Sequence, residues 1–260
     1  MKKESEKFAD SNIMEGMVSV RAVAESIRAG NNDRKIEKIL FSEGRVKAKG
    51  RELSYLRFLS GDMGFPLEIV PEEEIDALAV GSTHGGVLAL CSGRTIPPLA
   101  AAKLPGNGFF VMLEGIEDPY NFGYALRSLW AAGADGIVLS PRNWMTAAGV
   151  VCRASAGASE RFSLYLSESA ADAVSYLRGG GYRIVCADIE NSVPMYDADL
   201  SRPVFLIVGG EKRGISRAVL SLSDEIVRLD YGRPFPGALS AASAASILAY
   251  EVFRQNREKQ

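Results

Sequence analysis

Apolar and polar positions alternate with two different periods along this chain of 260 residues. Over 17–29 the apolar side chains recur at helical spacing, and Gly30 supplies a stop signal, so the pattern predicts a helix. Further elements are predicted as strands at 35–41, 66–70 and 86–91 and as helices near 53–59 and at 71–79. Together these elements predict a small α/β unit at the start of the chain.

In the second half of the chain, apolar runs typical of buried strands alternate regularly with helical patterns. Strands are predicted at 109–113, 136–139, 182–187, 203–208 and 225–229, and helices at 121–132, 146–156, 169–178, 215–222 and 241–255. This alternation predicts a mainly parallel sheet that is covered on both faces. We therefore predict an α/β protein with a first domain at 1–94, a Pro/Gly-rich linker at 95–108 and a second domain at 109–260.

The charge and composition of the chain bear on whether it binds nucleic acid. The chain is 47% hydrophobic and 24% charged, with a formal net charge of −2, which argues against indiscriminate nucleic-acid binding but permits a local basic face. Such a face is predicted in the first domain, where basic residues cluster: Arg34, Lys35, Lys38, Arg45, Lys47, Lys49 and Arg51. An ordinary solvated surface is the alternative interpretation of the same cluster.

The cysteine and histidine content predicts the compartment and argues against metal chemistry. Cys91, Cys152 and Cys186 are far apart and lie in apolar runs, so we expect buried thiols in a reducing cytoplasm. With His84 as the single histidine, we expect no metal site. The segment 1–7 carries charges of both signs, and no segment approaches the roughly 20 apolar residues of a membrane helix, so we expect no membrane association.

The clearest chemical signal lies where the strand at 109–113 enters a helix. The segment reads Asp118-Pro119-Tyr120-Asn121-Phe122-Gly123, followed by Arg127. Asp-Pro is turn chemistry, and Asn121 is expected to cap the helix with its side-chain oxygen. Asn121 and Arg127 do not share a helix face, but both could meet one ligand. An ordinary capped helix with an exposed arginine is the alternative.

Two later loops also follow buried strands. The first reads Gly209-Gly210-Glu211-Lys212-Arg213-Gly214-Ile215-Ser216, and its glycines allow a ligand to approach the backbone closely. It matches neither the dinucleotide fingerprint nor the P-loop. The second is a Pro/Gly-rich loop from Leu229 to Ser240, which leads into a helix of small residues that ends in Tyr250-Glu251. Carboxyl ends of strands are where ligands bind in such sheets.

These three loops, in this order, resemble the SpoU (TrmH-like) family of RNA 2′-O-ribose methyltransferases. The resemblance rests on the Asp-Pro-x-Asn-x-Gly segment with Arg127, on the Gly-x-Glu-x-x-Gly-x-Ser segment at 209–216, and on the final Tyr-Glu. Arg153 precedes a segment that looks like the family's Ser-x-Gly-Ala. The first domain looks like the family's L30e-like substrate-binding domain, with His84-Gly85-Gly86 as its His-x-Gly turn.

The resemblance implies a SPOUT α/β-knot domain with a deep trefoil knot, which binds S-adenosylmethionine and works as a homodimer on RNA, with ribosomal RNA favoured over transfer RNA. It implies catalytic roles for Asn121, Arg127 and Glu211. The cofactor would be held by residues of the later loops: Gly209, Gly210, Leu229, Leu239 and Ser240. RNA would be bound by basic side chains: Lys35, Lys38, Arg45, Lys47 and Arg153.

One departure from the family pattern affects the predicted site. Ser240 stands where the family has Asn and Ala242 where it has Ser, and the preceding Ile-Pro-Met is replaced by Leu229-Asp230-Tyr231 in a loop one residue longer. A catalytically weakened RNA-binding paralogue is therefore one alternative, and a small-molecule enzyme on a doubly wound sheet is another.

Overall fold

Two β-sheets organise the chain in the computed structural model, which describes residues 12–116, 118–141 and 143–257. Contacts between Cα atoms divide the chain into two units. Unit 1 contains the residues up to Thr95 together with Trp144–Arg161, and unit 2 contains Ile96–Asn143 and Phe162–Gln260. The charged N-terminal segment at 1–7, on which an expectation was based, lies outside the described residues.

Unit 1 is built on a mixed sheet of four strands in the order β1-β4-β2-β3. Its strands are β1 (Ile13–Glu15), β2 (Ile36–Ser42), β3 (Leu67–Val70) and β4 (Val87–Cys91), and its helices in the first part of the chain are α1 (Gly16–Arg28), α2 (Gly50–Met63) and α3 (Glu72–Leu78). Strand β4 is antiparallel to β1 and β2, whereas β2 and β3 run parallel. Apolar side chains of α1, α2 and the sheet form its core.

Residues Trp144–Arg161, which the sequence places in the second domain, pack in unit 1. They form a 3₁₀ turn, then α5 (Ala148–Ala154) and α6 (Ala158–Arg161), and Ala148 and Cys152 join the core of unit 1. A buried ion pair anchors this segment to the rest of unit 1. Arg34 Nε lies 2.8 Å from Glu160 Oε2, and both side chains are at most 1% exposed. The domain boundaries taken from the sequence stay a prediction.

Unit 2 is built on a seven-stranded sheet in the order β7-β6-β5-β10-β8-β11-β9, and every neighbouring pair is parallel. Its strands are β5 (Phe109–Glu114), β6 (Gly136–Leu139), β7 (Ser163–Leu166), β8 (Arg183–Ala187), β9 (Val193–Pro194), β10 (Val204–Gly209) and β11 (Glu225–Arg228), and its helices are α4 (Pro119–Ala131), α7 (Ala170–Gly179), α8 (Arg217–Leu220) and α9 (Ala241–Asn256). The expected mainly parallel sheet is confirmed. Because parallel strands share their direction, the loops after β5, β8, β10 and β11 meet at one edge of the sheet.

The elements that the sequence pattern missed are short. Strands β1 and β9 contain three and two residues, too few for the period of two to stand out, and β7 contains four. Strand β1 also passes directly into α1 through Gly16, whose φ of 80° makes the turn without a separate loop. Short runs of this kind are recognised by the partner strands that pair with them, which lie far away in the sequence.

The three cysteines are buried and form no disulfide. Burial raises the pKa of the Cys91 and Cys186 thiols to about 12, which keeps both groups protonated at neutral pH. The predicted buried thiols are thus confirmed. Within the described part of the chain, no helix is both long enough and apolar enough to cross a membrane.

Candidate active site

Helix α4 is the next element after β5, and Asp118 is its N-cap. The Asp118 carboxylate accepts a hydrogen bond of 3.1 Å from the Tyr120 amide, and Pro119 occupies the first helical position. The expectation that Asn121 caps this helix was therefore wrong. Asp118 has the extended backbone that a cap needs, whereas Asn121 already lies within the first turn.

Asn121 and Arg127 point in different directions from α4. Asn121 is half-buried and Arg127 is exposed, and six residues of helix turn through about 240° between them. Arg127 shares its face with two exposed aromatic residues, Tyr124 and Trp130, which are 52% and 42% exposed. Neither the Asn121 side chain nor the Arg127 guanidinium has a hydrogen-bond or ion-pair partner among the described residues, so both are available to a ligand or to another chain.

A cavity of about 520 Å³ opens at the carboxyl edge of the unit 2 sheet. Its lining comes from the ends of β8, β10 and β11 and from the loop before α9, and includes Asp188, Gly209, Gly210, Glu211, Leu229, Leu239, Ala241 and Ala244. Cavities of this size hold cofactor-sized molecules. The structure thus brings together Gly209, Gly210, Glu211, Leu229 and Leu239 of the predicted site, while Asn121 and Arg127 lie outside this lining.

Gly209 and Gly210 are required by packing between loops. A Cβ at Gly209 would approach the Gly214 carbonyl carbon, and one at Gly210 would approach the Gly115 carbonyl oxygen, at separations no real side chain adopts. Packing is therefore one reason for these glycines, and the close approach of a ligand to their backbone stays a prediction. Their missing side chains let three loop segments lie against one another, and this packing shapes the cavity.

The N-terminus of α9 is fixed by two side chains. Glu211 Oε1 accepts a 3.0 Å hydrogen bond from the Ala241 amide, and Ser240 Oγ accepts one of 3.2 Å from the Ser243 amide. Ser240 is thus the helix N-cap and does not belong to the cavity lining. Its predicted contact with a cofactor stays a prediction, whereas Glu211 both lines the cavity and anchors the helix.

Family models of known proteins match both parts of the chain. Residues 108–250 match the SpoU rRNA methylase family, which is more than half of the chain. The chain belongs to the SpoU rRNA methylase family. Residues 20–97 match the model described as RNA 2′-O ribose methyltransferase substrate binding. The predicted class, an RNA 2′-O-ribose methyltransferase that uses S-adenosylmethionine, is confirmed at the level of the family.

Individual relatives agree with this assignment over nearly the whole chain. A Staphylococcus saprophyticus protein named for the TrmH family of tRNA/rRNA methyltransferases is 30% identical, covering 92% of this chain and 95% of that protein. The Bacillus subtilis protein YacO, named for the same family, is 28% identical with the same coverage. The crystal structure of an AdoMet-bound rRNA methyltransferase from Sinorhizobium meliloti superposes with a TM-score of 0.76 at 22% identity, covering 98% of this chain and 90% of that one, which supports the SPOUT-type α/β fold.

Two acidic residues beside the SpoU loops were missed by the sequence reasoning. Asp188 follows β8 and lines the cavity. The carboxyl-end rule for parallel sheets could have pointed to it. Glu114 ends β5, and its Oε2 is buried without a hydrogen-bond partner among the described residues. Burial raises the pKa of the Glu114 carboxyl above its usual range.

The predicted RNA-binding residues in unit 1 of this SpoU protein do not form one patch. Lys35 and Arg45 lie beyond opposite ends of β2, a separation of roughly 20 Å for a seven-residue strand. Lys38 pairs with Glu68 at 3.1 Å and Arg45 with Glu72 at 2.9 Å.

Two further candidates of the same set differ in how firmly they are held. Arg153 forms an ion pair with the buried Glu15, in which Arg153 Nη1 lies 2.6 Å from Glu15 Oε2. Lys47 is exposed and has no ion-pair partner within the described ranges. The two ends of β2 therefore present separate basic surfaces.

Proposed function

We propose that this SpoU-family chain methylates a ribose 2′-hydroxyl in ribosomal RNA, that it works in the cytoplasm as a homodimer, and that its cofactor cavity lies in a trefoil-knotted region. The cavity at 209–211, 229 and 239 is the observation that carries this proposal, because it is built from loops within the segment 108–250 that matches the family. The buried, reduced thiols agree with a reducing compartment. The family description and the Sinorhizobium meliloti relative both refer to rRNA.

The cavity suits S-adenosylmethionine in size and in chemistry. Val208, Val227 and Leu248 give it apolar walls for an aromatic base, while Asp188 and Glu211 offer carboxylate oxygens to hydroxyl and ammonium groups. When bound, the cofactor supplies the methyl group. The residues of this chain hold it, orient the RNA and stabilise the negative charge that develops on the ribose oxygen.

Arg127 is the residue that we assign to the RNA. A guanidinium stays protonated in proteins and is therefore a poor proton acceptor, so we assign Arg127 to binding the phosphate beside the target ribose and to stabilising the negative charge that develops there. Asn121, whose amide has no partner among the described residues, orients the RNA from the same helix. Glu211 positions the loop before α9 through its bond to Ala241.

The placement of Arg127 supports a site shared between two copies of the chain. Arg127 lies outside the lining of its own cavity and between exposed Tyr124 and Trp130. Helix α9, which packs against α4, also exposes apolar side chains, with Tyr250 49% and Phe253 38% accessible. Exposed aromatic residues of this kind mark protein interfaces. We therefore assign this face to a second copy, whose cavity receives Arg127.

A mixing experiment tests the shared site. Arg127→Ala removes the guanidinium, and Ala244→Leu fills the cavity from α9, so each homodimer should lose methyl transfer. Co-expressed, the two variants form mixed dimers with one complete site if Arg127 acts on the partner, which restores about a quarter of wild-type activity. If Arg127 acts within its own subunit, no activity returns. Ala218→Leu, at an exposed alanine of α8, controls for an added side chain.

The RNA target is tested by mapping. Ribose 2′-O-methyl groups in ribosomal and transfer RNA from a deletion strain and its parent should differ at one ribosomal position. A difference confined to transfer RNA would reassign the substrate. Binding of S-adenosylhomocysteine without any methyl transfer would instead identify the RNA-binding paralogue.

In unit 1 we assign RNA contact to the surface around Arg45 and Lys47. A cleft of about 670 Å³ lies there between Arg45 and the loop from Ala79 to Gly85, and Lys49 Nζ would be 3.2 Å from a Cβ at Gly85. The exposed Arg45–Glu72 pair is weak and can be exchanged for a phosphate contact. Lys47→Gln should lower the slope of log affinity against log salt by about 1, whereas Lys35→Gln should leave it unchanged.

A further inference from the structure

A second cleft of about 500 Å³ lies on the other side of the loop that walls the cofactor cavity. We call it the aromatic cleft, and its lining includes Met195, Tyr196, Tyr231, Arg233, Phe235 and Ile247. Leu229, Tyr231, Phe235 and Leu239 line both the cleft and the cavity. A molecule in the cleft would therefore lie one side chain away from the cofactor.

The wall between the two spaces is held in shape by its own side chains. The Tyr231 hydroxyl accepts a 3.2 Å hydrogen bond from the Leu239 amide, which ties the two ends of the loop together. The Tyr231 and Phe235 rings meet edge to face with their centroids 5.7 Å apart. The Phe235 ring lies over Gly237, where a Cβ would come within 2.9 Å of it. The aromatic surface is thus formed before any ligand arrives.

The rings of the cleft are nevertheless open to solvent. Tyr196 is 67% exposed and Phe235 56%. Arg233 is also exposed and has no ion-pair partner in the parts of the chain that the structure describes. The one carboxylate in the lining, Asp230, is compensated by Arg228 Nε at 2.9 Å. The cleft therefore combines flat aromatic faces with a cation that lacks a counter-charge.

We infer that the aromatic cleft receives one unstacked base of the RNA substrate, next to the ribose that is methylated. This inference rests on the proposed function. Exposed aromatic rings beside an arginine are the means by which proteins bind single-stranded RNA, because a base stacks on the ring while the cation meets the phosphate. The wall shared with the cofactor cavity places such a base beside the methyl donor. Tyr231, Arg233 and Phe235 belong to the loop in which this chain departs from the family's motif, so the cleft would be a specificity element of this protein.

Tyr196 gives the cleanest test, because it lines the cleft and not the cofactor cavity. Methyl transfer from labelled S-adenosylmethionine is measured on total RNA from a strain that lacks this protein. Tyr196→Ala should raise the KM for RNA about 5- to 150-fold, the usual loss for one stacked base. Tyr196→Phe keeps the ring and should stay within about twofold of the wild type. Val193→Ala, at an exposed residue of β9 that does not line the cleft, should have no effect.

Two further measurements on the same variants separate the possible outcomes. Affinity for S-adenosylhomocysteine and the molecular mass in sedimentation should be unchanged in Tyr196→Ala. An unchanged KM would refute the base site, and a dissociated dimer would show that Tyr196 contacts a second subunit instead. If the wild type transferred no methyl group to the RNA, the proposed function would be refuted but the base site would not. Filter binding of the same RNA would then still test the cleft, since Tyr196→Ala must weaken it.

Discussion

Breaking the buried Arg34–Glu160 pair should destabilise unit 1 much more than breaking an exposed ion pair. Glu160 Oε2 accepts a hydrogen bond of 2.8 Å from Arg34 Nε. The Arg34 Nη1 group donates hydrogen bonds to the Asn12 side-chain oxygen and to the Ser92 carbonyl oxygen. Asn32 also donates to Glu160. Glu160→Gln keeps the shape of the side chain but leaves a buried guanidinium without a counter-charge. Breaking a buried pair in this way costs about 3–5 kcal/mol.

Urea unfolding measures this cost if the signal comes from unit 1. The chain has two tryptophans: Trp144 belongs to unit 1 and Trp130 to unit 2, so a Trp130→Phe background leaves Trp144 as the reporter. With a slope of about 1.5 kcal/mol per molar urea, Glu160→Gln should lower the midpoint by about 2–3 M. Replacing both partners by methionine should recover at least half of the loss, because apolar groups remove the unpaired charge.

A neighbouring pair supplies the control. Arg161 Nη2 lies 2.9 Å from Glu25 Oε2, but the two side chains are 39% and 45% exposed. An exposed pair contributes at most about 1 kcal/mol, so Glu25→Gln should shift the midpoint by less than about 0.7 M. Equal shifts for Glu160→Gln and Glu25→Gln would refute the argument that burial makes the first pair strong.

Two further predictions concern unit 2. Burial raises the pKa of Glu114, so its ionised form destabilises the fold above that pKa. Glu114→Gln should therefore raise the Tm at pH 7 relative to the wild type, and the difference should vanish below about pH 4.5, the ordinary pKa of glutamate. A constant difference across this range would exclude the titration. Ser240→Asn should change stability by only a few tenths of a kcal/mol, since both residues are good N-caps, and single-turnover methyl transfer by less than about tenfold. An inactive wild type that becomes active on this substitution would show a degenerate site.

The sequence pattern was sufficient to predict most of the elements and the parallel sheet of unit 2, because its central strands β5, β8 and β10 carry apolar runs that alternate with helical patterns. It could not reveal that Trp144–Arg161 packs in unit 1. The Arg34–Glu160 contact spans 126 residues, and nothing near Glu160 in the sequence marks it as a partner of Arg34. The same limit applies to Arg153, predicted to bind RNA but held by Glu15 from the start of the chain.

The candidate site was predictable to the extent that it follows the family's loops. Gly209, Gly210, Glu211, Leu229 and Leu239 do line one cavity. The roles of individual side chains were harder to assign, because Asp118 and Asn121 are both good caps by type. The backbone of the entering chain decides between them. The sequence marks the loop from Tyr231 to Gly237 as Pro/Gly-rich and as a departure from the motif, but it does not show that two of its rings pack against each other.

The departure at Ser240 has a limited physical consequence because of how α9 is attached. Two polar groups, the Glu211 carboxylate and the Ser240 hydroxyl, hold the first turn of α9 through the Ala241 and Ser243 amides. Any short side chain that accepts a hydrogen bond can serve as this cap, so the position of the Leu239 and Ala241 backbone in the cavity wall does not depend on an asparagine. Ala242 is buried, where a serine hydroxyl would need a partner. The substitutions therefore change side chains on the helix turn and leave the backbone of the cavity in place, which is the part that a cofactor held by main-chain groups requires.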